Sequence, residues 1–87
     1  MKKYQVYLTR TAQKDYDRIR DEKLRRGVNR VIEKIQEDPY QFKRLTGPLS
    51  YLHSAKTFSF RVLYQIHDKK LIIFVISIEH RKNVYRY

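Results

Sequence analysis

Two arginines stand where the pattern of the chain gives an arginine something to do. Arg61 lies in an alternating stretch in which Phe58, Phe60, Val62, Tyr64 and Ile66 take one phase and Ser59, Arg61, Leu63 and Gln65 take the other. Successive side chains of a β-strand point to opposite faces. If the apolar phase meets a core, Arg61 leaves from the other face, where it is either solvated or poised to grip an anion through its two-pronged guanidinium. Arg81 follows a second strand-like run, Leu71 to Ile78, and neighbouring strands would bring Arg61 and Arg81 to one mouth of a sheet. Around Arg81 the chain reads His80-Arg81-Lys82 and then Tyr85-Arg86-Tyr87. Cations interleaved with aromatic rings suit single-stranded RNA, whose phosphates pair with arginine and whose splayed bases stack on rings. The plain alternative is a frayed basic terminus.

Other chemistries are poorly supplied. The chain has no cysteine, which removes disulfides and thiolate–zinc sites. His53, His67 and His80 have no metal-ligand spacing. A two-metal nuclease needs clustered carboxylates, and the second half of the chain offers only Asp68 and Glu79. No phosphate-cradling glycine loop and no Ser/His/Asp nucleophile arrangement is present. Any nuclease chemistry here is therefore expected to need no metal or other cofactor. Among the histidines, His80 beside Arg81 is the best proton-transfer candidate, because an imidazole is the side chain suited to exchange protons near neutral pH.

The charge points to the same class of partner. Lys plus Arg number 20 against 9 Asp plus Glu, a formal net charge of +11 over 87 residues. A field of that sign and size favours nucleic acid, an anionic membrane surface or an acidic protein. Residues 1–38 mix 11 basic with 7 acidic side chains, whereas residues 39–87 carry 9 basic and 2 acidic ones. Helical neighbours can pair the charges of the first segment; Lys43, Arg44, Lys56 and Arg61 in the second have few local partners, so the anion-binding surface is expected there. The longest apolar run, Leu71 to Ile76, is far short of the ~20 residues that span a bilayer. Met-Lys-Lys leads into an alternating segment rather than an apolar block of about 7–15 residues, so no secretory signal is read. A cytoplasmic protein with no membrane partner is expected.

These residues need elements to position them. One domain covering 1–87 is expected from the length. Tyr4, Val6 and Leu8 alternate with polar neighbours as a half-buried strand does. Thr9 or Thr11 can cap a following helix with Ala12, Tyr16 and Ile19 on one side. Around Asp21 the helix breaks or restarts. Leu24, Val28, Val31, Ile32 and Ile35 then form one helical stripe, which Asp38-Pro39 ends. The stretch 39–51, with Pro39, Gly47 and Pro48, reads as a loop. A short strand over Tyr51 to Lys56 follows, then the Arg61 strand, a turn at His67-Asp68-Lys69-Lys70 and the apolar strand Leu71 to Ile78. The order β-α-α-β-β-β predicts an α+β layer, a two-helix hairpin on one face of a mainly antiparallel four-stranded sheet.

Three stretches together resemble a known family: Leu45-Thr46-Gly47-Pro48-Leu49, Phe60-Arg61-Val62-Leu63-Tyr64-Gln65-Ile66, and Ile73-Phe74-Val75-Ile76-Ser77-Ile78-Glu79-His80-Arg81-Lys82-Asn83-Val84-Tyr85. The pattern looks like that of the RelE/ParE toxins of toxin–antitoxin pairs, and closer to the RelE type. RelE-type members cleave mRNA in the ribosomal A site; ParE-type members inhibit DNA gyrase. The resemblance implies an mRNA endonuclease whose partners are a cognate antitoxin, the ribosome and mRNA. It implies that Arg61 and Arg81 stabilise the scissile phosphate while Tyr85 stacks on or orients the substrate. The best-known nuclease of the family has two lysines in the strand before Arg61, whereas Tyr51-Leu52-His53-Ser54-Ala55-Lys56 has one, displaced. Proton transfer is thus open to His53, Lys56 or His80. The expected catalytic set is Arg61, Arg81, Tyr85, His80 and Lys56, with RNA contacts from Lys43, Arg44, His53, Lys82, Arg86 and Tyr87. A gyrase inhibitor and a non-catalytic RNA-binding module are the alternative readings.

Overall fold

Alternation in the strand that carries Arg61 is satisfied by two helices lying on its apolar side. The computed structural model describes residues 4–81. The chain runs β1 (Gln5–Leu8), α1 (Arg10–Asp17), α2 (Glu22–Glu37), β2 (Lys43–Arg44), β3 (His53–Lys56), β4 (Phe60–His67) and β5 (Ile72–His80). Single turns of 3-10 helix occupy Pro39–Gln41, Gly47–Leu49 and Asp68–Lys70. The strands form one sheet in the order β1-β5-β4-β3-β2. β1 runs parallel to β5, and the other pairs are antiparallel. The α+β layering is as expected, but the sheet has five strands, not four. The added strand β2 is two residues long, within the stretch read as a loop, and so short a segment has no alternation to announce it.

The core lies between the helices and one sheet face. Ala12 and Ile19 come from the α1 region and Val28 and Ile35 from α2; the sheet supplies Ala55, Phe60, Val62, Tyr64, Ile73, Val75 and Ile78. Leu24, Val31 and Ile32 complete the α2 stripe, half-buried against it. Thr9 caps α1, accepting the Ala12 N–H at 3.1 Å. Asp21 restarts the chain as α2 by accepting from the Lys23 and Leu24 N–H groups. Both caps supply partners for helix-end N–H groups that have none inside the helix.

β4 and β5 shift register between Leu63 and Tyr64: Leu63 pairs with Ser77, but Tyr64 pairs with Val75. Ile76 is the extra residue of this bulge, and its carbonyl accepts from the Thr9 hydroxyl at 2.8 Å. β1 has ended by then, and Asp15 of α1 accepts the Ile78 N–H at 3.0 Å where a ladder bond would otherwise lie. The bulge, the first helix and the central strand are therefore fastened to one another.

Two details differ from expectation. Phe58, assigned to the apolar phase, sits in the β3–β4 turn and is 88% exposed; the strand begins at Phe60. Leu71 is not the first residue of the last strand. It adopts a left-handed conformation, φ 54°, that closes the Asp68–Lys70 turn.

Tyr64 is fully buried, and its hydroxyl donates to the Pro39 carbonyl at 2.6 Å. That bond ties the end of α2 to the middle of β4, and burial pushes the phenol pKa up. Tyr64→Phe keeps the ring but leaves the Pro39 carbonyl without its donor. We expect a loss of about 1–3 kcal/mol, read as a lower midpoint in thermal or denaturant unfolding. An unchanged midpoint would show that the bond contributes nothing net.

Candidate functional site: a cationic sheet face

The sheet face turned away from the helices is laid out by the strand register. Cross-strand partners share a face, so Lys56, Arg61 and Glu79 form one row across β3, β4 and β5. Lys43, Ser54, Leu63 and Ser77 form the next. Arg81 extends the first row at its end. Its N–H donates to the Ser59 carbonyl at 2.8 Å, continuing the β4–β5 pairing one step past Phe60–His80. Its guanidinium leans over the β3–β4 turn, 3.4 Å from the Thr57 and Phe58 carbonyls. Arg61 is directly opposite Glu79 and therefore diagonal to Arg81, a spacing of ~7–8 Å between backbones.

Four cations thus share one face: Lys43 at the edge, Lys56, Arg61 and Arg81 at the mouth. Lys43, Lys56 and Arg81 are exposed and Arg61 is half-buried. Glu79, half-buried, is the one carboxylate in the two rows, and it accepts from the Ser77 hydroxyl at 3.2 Å. Ser54, 7% exposed, has no hydrogen-bond partner for its hydroxyl among the described residues. Clustered cations of this kind can hold a phosphate and neutralise charge that develops on it.

The remaining expected site residues are distributed elsewhere. His80 pairs with Phe60 and packs ring to ring against it, centroids 4.8 Å apart. Phe60 belongs to the core face, so His80 is on the opposite side from Arg61, exposed at its rim. The sequence places His80 next to Arg81 in the chain, but alternation sends the two side chains apart. Arg44 and His53 pair with each other and lie on the core side of the β2 edge. There they line a cavity of about 340 Å³ with Tyr40, Ser50, Tyr51, Gln65 and Ile66. Burial, with the Arg44 charge adding to it, lowers the His53 pKa. Lys82, Tyr85, Arg86 and Tyr87 lie outside the described residues.

Sequence reasoning gave no site role to Glu79, Ser54, Tyr40, Tyr51 or Gln65. Glu79 is two residues from Arg81 in the chain, yet its place beside Arg61 needs the β4–β5 register, which is not readable from composition. Among the described residues no helix is long and apolar enough to cross a membrane. No group of three or more His, Asp and Glu side chains there could hold a metal ion.

The architecture is a two-helix layer on a mainly antiparallel sheet whose open face gathers cations at one mouth. Residues 6–85 match the family model for the ParE toxin of type II toxin–antitoxin systems. The chain belongs to that family, within the RelE/ParE superfamily of toxins. It is 32% identical over 84 residues to toxin RelE of Mycobacterium tuberculosis, covering 95% of this chain and 87% of that one. It is 27% identical over 84 residues to toxin RelG of the same organism, covering 95% and 97%. Among solved structures, the toxin–antitoxin complex RelBE2 of that organism superposes with a TM-score of 0.80 at 26% identity, over 90% of this chain and 98% of the matched one. The chain is thus a RelE-like toxin of a toxin–antitoxin system.

His53 offers a pH test of the site's edge. Its folded pKa lies below the ordinary 6.5, so protonation favours the unfolded chain. The neutral imidazole's contribution is fully present above the unfolded value, near 6.5, and is lost as pH falls through the lowered folded value. The melting temperature of wild type is expected to fall more between pH 7 and pH 5 than that of His53→Gln. Equal falls would mean that His53 is as easily protonated folded as unfolded.

Proposed function

We propose that this toxin is a metal-independent endoribonuclease that cuts mRNA on the ribosome. The observation that supports this best is the convergence of Lys56, Arg61 and Arg81 on one sheet face, beside the Ser54 hydroxyl, which has no partner among the described residues. In this reading the ribose 2′-OH attacks the adjacent phosphorus. A 2′-O–P bond forms, the bond to the 5′-oxygen breaks, and the 2′ proton is lost as the 5′-oxygen gains one. The products are a 2′,3′-cyclic phosphate and a 5′-OH. Arg61 and Arg81 neutralise the extra negative charge of the pentacovalent state. Lys56, in register with Arg61, contributes charge and is the nearest group of the row able to give a proton to the leaving oxygen. His80, on the other face, is given no role. By family resemblance Tyr85 orients the substrate; Lys82, Arg86 and Tyr87, cations and a ring interleaved along the chain, are assigned to RNA contact. Ribosomal positioning of the message supplies much of the rate, which makes weak acid–base groups sufficient.

The partner that restrains the toxin is an acidic or amphipathic antitoxin segment that wraps the domain, as the +11 charge and small core suggest. Its association with the toxin should slow as salt is raised, because steering between opposite charges is screened. A rate constant independent of salt would contradict charge-steered capture.

Loss of one cation at the transition-state phosphate should cost on the order of 2.7–4 kcal/mol, a rate reduction of roughly a hundredfold to a thousandfold. Arg61→Ala and Arg81→Ala should show this in single-turnover cleavage on programmed ribosomes. Both should keep their fold, since neither side chain belongs to the apolar phase. Near wild-type cleavage by either variant would remove that arginine from the site. Gyrase inhibition, the activity associated with ParE-type members, has its own discriminating readout. Inhibited DNA supercoiling, with intact messages on ribosomes, would replace the nuclease reading.

A further inference from the structure

We propose that the cavity at the β2–β3 edge is a subsite for one unstacked nucleobase of the RNA strand whose phosphate lies at Arg61 and Arg81. This rests on the nuclease reading above and adds a specificity determinant to it. The cavity measures about 340 Å³, at the small end of the range of ligand pockets, about 300–1,000 Å³. It is remote from the cationic row: Gln65, in its wall, is four residues along β4 from Arg61, about 13–14 Å, and the cavity opens round the β2 edge on the core side of the sheet. A group bound there belongs to a neighbouring part of the substrate, not to the scissile phosphate.

Its lining is that of a base pocket. Tyr40 and Tyr51 are 54% and 55% exposed, so two aromatic rings stand at an open mouth. The Tyr40 hydroxyl donates to Asp68, which also accepts from Tyr4, so the Tyr40 ring is held from behind. His53 stacks on Tyr64, centroids 5.5 Å and planes 26° apart, with the Tyr40 ring edge-on to it at 5.8 Å. The imidazole is thus fixed on two sides. Its Nδ1 is buried and has no hydrogen-bond partner among the described residues. With Nδ1 buried, Nε2 is the imidazole nitrogen left for a ligand, a donor or an acceptor according to tautomer, which can meet the edge of a base. Arg44 donates through Nε to the Ser50 carbonyl at 2.8 Å, which sets its guanidinium at the rim, where it can stack on a base plane or meet a phosphate.

The direct test is titration of the isotope-labelled protein with AMP, GMP, CMP and UMP, and separately with ribose 5-phosphate, followed by NMR. Saturable shifts at Tyr51, His53 and Gln65 with at least one nucleotide, absent with ribose 5-phosphate, are expected. No shift with any nucleotide, or equal shifts with ribose 5-phosphate, would overturn a base site. Shifts at the same residues from an antitoxin-derived peptide, with none from nucleotides, would assign the cavity to the protein partner instead. These readouts do not depend on cleavage, so they stand apart from failure of the nuclease reading, which would show as intact message with wild-type toxin. On ribosomes carrying messages that differ at single positions, Tyr51→Ala and His53→Ala should lower cleavage of the preferred message by about tenfold to a hundredfold, the worth of one base contact. The disfavoured messages should be affected less. An unchanged preference in both variants would count against the proposal, and a matching thermal melt separates lost contact from lost fold.

Discussion

The alternation of β4 against the helices is the constraint from which the site follows. Phe60, Val62 and Tyr64 must enter the core, and each is at most 7% exposed. Once they do, the period of two puts Arg61 on the opposite face without further instruction. A slip of one residue would bury the guanidinium and expose the aromatic side chains, which makes the register strongly specified. β5 is held to that register by two devices outside the ladder: the Thr9 hydroxyl on the Ile76 carbonyl and the Asp15 carboxylate on the Ile78 N–H. Both come from the β1–α1 segment. The first helix therefore does more than cover the sheet; it secures the strand that carries Glu79 and delivers Arg81.

Charge and fold work against each other on so basic a chain. The charges of residues 1–38 are mixed, so the helices carry most of the acidic groups, while the strand face collects cations. Within that face Glu79 stands opposite Arg61, one step from Arg81. A carboxylate there reduces repulsion among cations about 7–8 Å apart. At the other end of the sheet, Asp68 takes two tyrosine hydroxyls and has its pKa lowered by them, Tyr40 first and Tyr4 second. In return the Tyr40 phenol is pushed up to about 12, the Asp68 hydrogen bond being the largest cause. The only two acids of residues 39–87 therefore both stand at points where the sheet would otherwise lack a counter-charge or an anchor.

Much of this was legible in the chain itself. The stripe Leu24-Val28-Val31-Ile32-Ile35 has the helical period and forms α2; Asp38-Pro39 ends it as a residue before proline should. Arg61 could be phased because its strand alternates cleanly. What escaped was information held between segments. β2 is two residues long and exists only through its pairing with His53 and Ser54. Phe58 was misphased because one exposed aromatic residue in a turn looks like one more strand residue. His80 and Arg81 are neighbours in the chain, and only the pairing of His80 with Phe60 shows that they part company. The cavity at the β2–β3 edge draws on residues from 40 to 66 that come from several separate segments and share no spacing.

The central claim is that this cationic face cuts RNA by activating the substrate's own 2′-hydroxyl. The most direct measurement uses wild-type toxin, ribosomes and a message carrying a single 2′-deoxynucleotide at the cleavage position, in single turnover. The all-ribose message is expected to be cut to a 2′,3′-cyclic phosphate and a 5′-OH, and the deoxy position to stay intact. Cutting of the deoxy message at an undiminished rate would mean that water or another nucleophile attacks, and would contradict the central claim.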